Sequence, residues 1–177
     1  MSEETPVAAE AAVEIPAVAV LDDQVLAALA GRFPDAVFEP GIGHGIARID
    51  PGSIVEFVDA AREAGFEMFL DLTAVDHLHR RLQRYEVIVN LVDPARPSRL
   101  LIKVALDGPD PGMPSITGVF PGANFFEREA FDLFGVHFAG HPELTRILLP
   151  DEWEGHPLRK DAPVGSVPVQ FKEPDGR

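Results

Sequence analysis

Two neighbouring stretches of alternating apolar residues restrict the folds that this chain can adopt. In residues 85–92, and again in residues 100–106, apolar side chains occupy every second position. Successive side chains of a strand point to opposite faces of a sheet, so each stretch predicts a strand with one buried face. The loop 93–98 between them contains two prolines, and a connection this short predicts an antiparallel hairpin.

Three other stretches carry apolar residues at helical spacing, at 22–32, 53–64 and 124–134. Two short strands are predicted at 36–39 and 44–49, and a longer, mostly apolar strand at 66–75. Because the helices must cover a sheet, we predict a two-layer α+β fold, with a mixed or antiparallel sheet and helices packed on one side of it.

The second and third predicted helices carry capping signals at their starts. Ser53 with Glu56, and Asn124 with Glu127, have the spacing of a capping box, in which each side chain bonds a free backbone N–H group. A glycine follows each of these helices, where the chain has to leave the helical conformation.

The chain divides into three parts. Residues 1–20 contain acids but no base and no aromatic residue, which predicts a disordered tail, with an acidic docking arm as the alternative. Residues 21–140 hold the predicted helices and strands and form one α+β domain. Residues 141–177 contain six prolines, which predicts an extended partner-docking arm with little core of its own.

The composition argues against several classes of function. The formal net charge is −14, whereas a protein that neutralises nucleic-acid phosphates needs positive charge. The chain contains no cysteine, so it holds no disulfide and no cysteine-ligated zinc or iron–sulfur centre. It also lacks an apolar run of about 18 residues that would span a bilayer, and we expect a soluble intracellular domain.

A candidate metal site lies near the middle of the chain. His77 and His79 are two residues apart, which in a strand places them on one face, and Asp71 and Asp76 are close by. Arginines in the same stretch oppose a cation, so we favour a solvated, charged loop at residues 76–84 over a stand-alone metallohydrolase. Motifs for a serine nucleophile or a phosphate-binding loop are missing from the sequence.

The charged residues of the third helix have a structural explanation. Glu127 and Glu129 are two residues apart on a helix, so they do not converge as a catalytic pair. Capping accounts for Glu127, and Arg128 and Asp132 have the i, i+4 spacing of an ion pair.

The final segment concentrates residue types that are common at protein interfaces. It holds the only tryptophan, Trp153, together with Arg146, Arg159 and the aliphatic cluster 147–149. Prolines reduce the entropy that such a segment loses on docking. An arm that only wraps its own domain is an equally good interpretation of these features.

Residues 114–163 contain a long, spaced motif. It includes Glu-Arg-Glu at 127–129, Asp-Leu-Phe-Gly at 132–135 and Trp-Glu-Gly-His-Pro-Leu-Arg-Lys-Asp at 153–161. This pattern resembles the signature region of the 30 kDa subunit (the C subunit) of bacterial NADH-quinone oxidoreductase, respiratory complex I. The likeness extends over about residues 50–170.

The resemblance implies a structural subunit of the peripheral arm, without a redox centre, on the cytoplasmic side of the bacterial cell membrane. Its chief partner would be the quinone-site subunit, which resembles a hydrogenase large subunit. NADH, FMN, the iron–sulfur clusters and quinone would be bound by other subunits, and membrane association would occur only through the complex. The alternative is the equivalent subunit of a membrane-bound hydrogenase-type complex.

The resemblance also implies a partner interface, and no catalytic, cofactor-binding or metal-binding residue in this chain. The interface is predicted at the motif positions Glu127, Arg128, Glu129, His141, Arg146, Trp153, His156, Arg159, Lys160 and Asp161.

Overall fold

The computed structural model describes residues 23–41, 43–96 and 98–162. The predicted tail at 1–20 and the end of the predicted arm lie outside these residues. In chain order the elements are α1 (Asp23–Arg32), β1 (Val37–Gly41), β2 (His44–Ile49), α2 (Ile54–Glu63), β3 (Met68–Asp76), β4 (Tyr85–Asp93), β5 (Ser98–Leu106), β6 (Gly112–Pro114), α3 (Ala123–Phe134) and β7 (His137–Ala139). None of the helices described here has the length and apolar character needed to cross a membrane.

The five longer strands form one mixed sheet in the order β1-β2-β5-β4-β3. Strands β4 and β5 are antiparallel, from Tyr85 opposite Leu106 to Asp93 opposite Ser98, which confirms the predicted hairpin. Strands β2 and β5 run parallel, whereas β1 and β3 join at the two edges in antiparallel orientation. The predicted α+β class with a mixed sheet is confirmed.

The hydrophobic core lies on one face of this sheet. The inward positions of β4 and β5 are buried: Tyr85, Val87, Val89, Leu91, Leu100, Ile102, Val104 and Leu106. Helix α2 contributes Phe57, whose ring lies 5.0 Å from the ring of Phe33 and 6.1 Å from that of Phe38. These aromatic contacts attach the segment from α1 to β1 to the rest of the core.

The predicted capping boxes are wrong, although the predicted helix ends are confirmed. Ser53 makes no side-chain cap, because a 3-10 turn begins at Pro51 and the carboxylate of Asp50 accepts the backbone N–H of Gly52 at 2.8 Å. Ser53 therefore already has helical backbone angles, whereas a capping residue needs an extended conformation. Helix α3 starts at Ala123, which leaves Asn124 inside the helix.

A short strand, β6, lies between β5 and α3. Residues Gly112–Pro114 pair in parallel with His137–Ala139, which follow α3 in the chain. A strand of three residues is too short to show alternation, and its partner lies about two dozen residues away, so the local sequence carries no signal for this pair.

We predict that Phe57→Ala lowers the free energy of unfolding by about 3–5 kcal/mol, because it removes a buried ring that contacts two others. The control is Val55→Ala, a half-exposed position on the same helix, which is expected to cost less than about 1 kcal/mol. Urea unfolding followed by circular dichroism measures both values. Equal effects would contradict the central position of Phe57 in the core.

Candidate functional site

The part of the arm that the structure describes, residues 141–162, lies along helix α3. The guanidinium of Arg128 donates to the backbone carbonyls of Thr145 at 3.1 Å and Arg146 at 3.0 Å. Further along, the backbone N–H of Leu158 donates to the carbonyl of Leu133 at 3.1 Å. The inner side of the arm therefore packs on its own domain, and its outer side faces solvent.

Asp132 of α3 is the centre of this attachment. Its buried carboxylate accepts hydrogen bonds from three consecutive backbone N–H groups, those of Ile147 (3.1 Å), Leu148 (2.8 Å) and Leu149 (2.9 Å). The guanidinium of Arg146 adds an ion pair at 2.7 Å. Burial by itself would raise the pKa of Asp132, but these donors stabilise the carboxylate, and its pKa lies below the usual value.

Asp76, at the end of β3, forms a second attachment. Its buried carboxylate accepts hydrogen bonds from Arg84 Nη2 and from the backbone N–H groups of Leu78 and Lys160, each at 2.8 Å. Burial opposes ionisation, but the hydrogen bonds from Arg84 and the two N–H groups outweigh it and lower the pKa of Asp76 to about 2. Arg84 also pairs with Asp161 at 2.8 Å, so one arginine joins the end of β3 to the arm.

Glu127 is a third buried carboxylate, and the capping role predicted for it is wrong. It accepts hydrogen bonds from the hydroxyl of Ser115 at 2.6 Å and the backbone N–H of Ile116 at 2.7 Å. The buried imidazole of His141 lies 4.0 Å from the same carboxylate. Desolvation outweighs these interactions and raises the pKa of Glu127. Glu127 thus connects α3 to the segment that follows β6.

The arm also approaches the core at Tyr85 and at the end of α3. The guanidinium groups of Arg84 and Arg159 lie 4.8 Å and 5.4 Å from the centre of the Tyr85 ring, within the range of cation–π contacts. Gly135 ends α3 with a φ of 73°, and a β-carbon there would lie 2.4 Å from Arg159 and 2.6 Å from His156. Glycine is required at this position both for the turn and for the close approach of the arm.

Most of the residues predicted to form a partner interface contact atoms of their own chain. Hydrogen bonds or ion pairs within the chain are made by Glu127, Arg128, His141, Arg146, His156, Arg159 and Asp161, and by the backbone of Trp153 and Lys160. The side chain of Glu129 is exposed. The predicted ion pair between Arg128 and Asp132 is wrong, because both bond to the arm instead. A role of these ten residues at an interface stays a prediction.

The candidate metal ligand His77 is engaged by a carboxylate, and the side chain of His79 lies outside the described part of the structure. The imidazole of His77 lies 3.5 Å from the carboxylate of Glu86. The same carboxylate contacts Arg81 at 2.8 Å and Arg48 at 3.0 Å. Within the part of the chain that the structure describes, no group of three or more His, Cys, Asp or Glu residues could hold a metal ion.

The predicted solvated loop is wrong at Asp76. The inward alternation of β3 carries its side chain into the interior, where it is buried. Arg80, Arg81 and Leu82 are exposed as predicted, whereas Gln83 and Arg84 are half-buried.

Sequence reasoning missed Asp76 and Asp132 as anchors, although each leaves a local trace. Asp76 continues the inward positions of Leu72 and Ala74 in β3, so strict alternation places it inside. Asp132 interrupts the apolar end of α3. The donors lie up to 84 residues away for Asp76 and up to 17 residues away for Asp132, and periodicity within one element does not reveal them.

Three comparisons identify proteins that are similar to this chain. The model of the family described as respiratory-chain NADH dehydrogenase, 30 Kd subunit, matches residues 47–167. The NADH-quinone oxidoreductase C subunit of Roseiflexus sp. (strain RS-1) is 43% identical over 152 residues, 83% of this chain and 87% of that protein. The NADH-quinone oxidoreductase C/D subunit of Ectopseudomonas mendocina (strain ymp) is 38% identical over 167 residues, 88% of this chain and 28% of that protein. The solved structure of the trypsin-resistant fragment (1-134) of Nqo5 is 30% identical, with a TM-score of 0.61 over 69% of this chain and 98% of that chain.

We predict that Asp132→Asn lowers the free energy of unfolding by about 2–4 kcal/mol, since it leaves Arg146 without its buried partner. The backbone amides of residues 147–149 should then exchange hydrogen faster. The control is Asp59→Asn, which breaks an exposed pair with Arg62 and should cost less than about 1 kcal/mol. Urea unfolding and hydrogen exchange measure these effects. Unchanged exchange at 147–149 would contradict the role of Asp132.

We also predict a pH dependence for the attachment at Asp76. Its pKa of about 2 lies below the ordinary value of 3.8, so the carboxylate stabilises the fold fully above pH 3.8, and this stabilisation is lost as the pH falls through about 2. The stability difference between the natural chain and Asp76→Asn should therefore shrink as the pH falls from about 5 towards 2. A difference that stays constant over this range would refute the assignment.

Proposed function

The chain belongs to the respiratory-chain NADH dehydrogenase 30 Kd subunit family, and we propose that it is a non-redox structural subunit of a proton-translocating NADH:quinone oxidoreductase. In this proposal it lies in the peripheral arm of the complex, on the cytoplasmic side of the membrane. There it holds the quinone-site subunit in position.

The observation that carries this proposal is the inverted polarity of the arm. Its carbonyls, its N–H groups and the side chain of Arg146 bond inward to α3, and Asp161 pairs with Arg84. Three of its aliphatic side chains remain outside: Leu148 is 60% exposed, Leu158 47% and Ile147 37%, whereas Leu144 packs against the core. Exposed aliphatic side chains on a rigidly held segment are typical of a surface that a partner covers. We call these three residues the arm apolar surface.

One relative supports the choice of partner. The protein of Ectopseudomonas mendocina is named a C/D subunit, and this chain corresponds to 28% of it. When two subunits are joined in one chain, each is held at a high effective concentration near the other. This is compatible with direct contact between them. The names of these relatives also favour the NADH-quinone oxidoreductase over the hydrogenase-type complex.

The residues of this chain support a role without chemistry of its own. The whole sequence lacks cysteine, the usual ligand of iron–sulfur clusters. The buried carboxylates Asp76, Asp132 and Glu127 are each bonded to backbone N–H groups of other segments, which accounts for their burial. We therefore assign NADH, FMN, the clusters and quinone to other subunits, and membrane association to the complex.

We predict that the double variant Leu148→Asp, Leu158→Asp abolishes co-purification of the chain with other subunits from native membranes. Both side chains are exposed, so the thermal midpoint of the isolated variant should remain within a few degrees of that of the natural chain.

The matched control is Val37→Asp, Met68→Asp, which adds the same charge at two exposed aliphatic positions of the sheet. This control should assemble normally. Normal assembly of the arm variant, at unchanged expression, would refute the docking role of the arm apolar surface.

A further inference from the structure

A positively charged loop lies beside the end of the arm. Residues 77–84, which we call the arginine loop, connect β3 to β4 and contain Arg80, Arg81 and Arg84 without a carboxylate. The whole chain has a formal net charge of −14, so this loop is a local reversal of its sign. The net negative charge of the protein repels anions in general, so a local cationic loop favours a partner whose anionic groups match that loop.

The loop also presents an aliphatic side chain to solvent. Leu82 is 93% exposed, the largest exposure among the large apolar residues that the structure describes. Leu78 has a φ of 46°, in the left-handed region that a leucine rarely adopts, and its backbone N–H is held by the carboxylate of Asp76 at 2.8 Å. Strained backbone of this kind persists only where surrounding contacts impose it, and it is frequent at binding sites.

Two open clefts flank Leu78. One has a volume of about 570 Å³ and is lined by Val75, Asp76, His77, Leu78, Arg80 and Lys160. The other has a volume of about 500 Å³ and is lined by Leu78, Arg81, Leu82, Arg84, Gly108 and Pro109. Each cleft thus combines aliphatic walls with cationic side chains, which suits a peptide segment that carries both kinds of group.

The base of the loop is fixed to the arm. Arg84 bonds Asp76 on the sheet and Asp161 on the arm, and Asp76 accepts the backbone N–H of Lys160. A partner that covers the arm apolar surface would therefore meet the arginine loop in a fixed position relative to it.

The charge of the loop is only partly neutralised within the chain. Arg81 is 45% exposed, and its carboxylate partner Glu86 is shared with Arg48. Arg80 is exposed and forms no ion pair with any residue that the structure describes. These two exposed arginines, which directly precede Leu82, therefore favour an occupant with carboxylates.

From these features we propose that the arginine loop is the docking site of an acidic segment of a neighbouring subunit. Carboxylates of that segment pair with Arg80 and Arg81, and an aliphatic or aromatic side chain covers Leu82. The inference rests on the proposed function, because it names the chemistry of the partner that this chain contacts. Anionic lipid and nucleic acid fit less well, since the acidic remainder of the chain would be repelled by an extended anionic surface.

The test is site-specific photo-crosslinking in the assembled complex. A photo-reactive phenylalanine analogue replaces Leu82 in the full chain, the complex is purified from native membranes, and the cross-linked peptide is identified by mass spectrometry. We expect a segment of another subunit in which carboxylates outnumber bases. Arg80→Glu should reduce the yield roughly threefold or more, because like charges then face each other, whereas Arg80→Lys should largely preserve it.

Two controls match this design. The analogue placed at Val37, an exposed residue on the opposite edge strand β1, should not capture the same segment. Arg99→Glu, a charge reversal at an exposed position of β5, should leave the yield from position 82 unchanged.

The proposal is overturned if position 82 of an intact complex captures a segment without net negative charge, residues 1–22 of the same chain, a second copy, a phospholipid, or nothing. Equal yields from Arg80→Glu and the natural chain would also overturn it. Failure of the proposed function is distinguishable, because it would show as normal assembly of the Leu148→Asp, Leu158→Asp variant.

Discussion

The carboxylate of Asp132 is the interaction on which the arm depends. Residues 141–162 contain no helix or strand and contribute little to the hydrophobic core, so their backbone needs polar partners elsewhere. Asp132 supplies partners for three consecutive N–H groups and for Arg146. Each donor that is lost leaves this buried charge less well satisfied, so the four hydrogen bonds together favour the observed conformation of the arm.

This arrangement explains why the same residue types that suggest an interface are found inside the molecule. Arginine, histidine and carboxylate side chains stabilise the arm against α3, whereas Ile147, Leu148 and Leu158 stay exposed. The charges of the arm thus stabilise its own attachment, and apolar side chains remain on its exposed side. Such a distribution suits a permanent subunit, because permanent interfaces are more apolar than transient ones.

A second consequence concerns the relation between distant parts of the chain. Asp76 lies at the end of an edge strand, yet it bonds both the following loop and the backbone of Lys160, 84 residues later. The ring of Tyr85 between two arginines strengthens the same junction. Sheet, arginine loop and arm are thereby joined in one place, so that a partner would meet a preformed surface, and little entropy would be lost on binding.

Several features could be predicted from the sequence: the layer architecture, the central hairpin, two helix ends and the family motif. They are predictable because periodicity, glycine turns and motif spacing are local properties. The parallel pairing of β6 with β7 could not, since Gly112–Pro114 is too short for periodicity. The predicted caps at Ser53 and Asn124 are also absent, and Asp50 caps the turn before α2 instead. The hydrogen bonds by which Asp132 and Asp76 attach the arm became visible only in the folded molecule. Burial of a charge depends on donors from distant segments, and those donors meet only after the chain has folded.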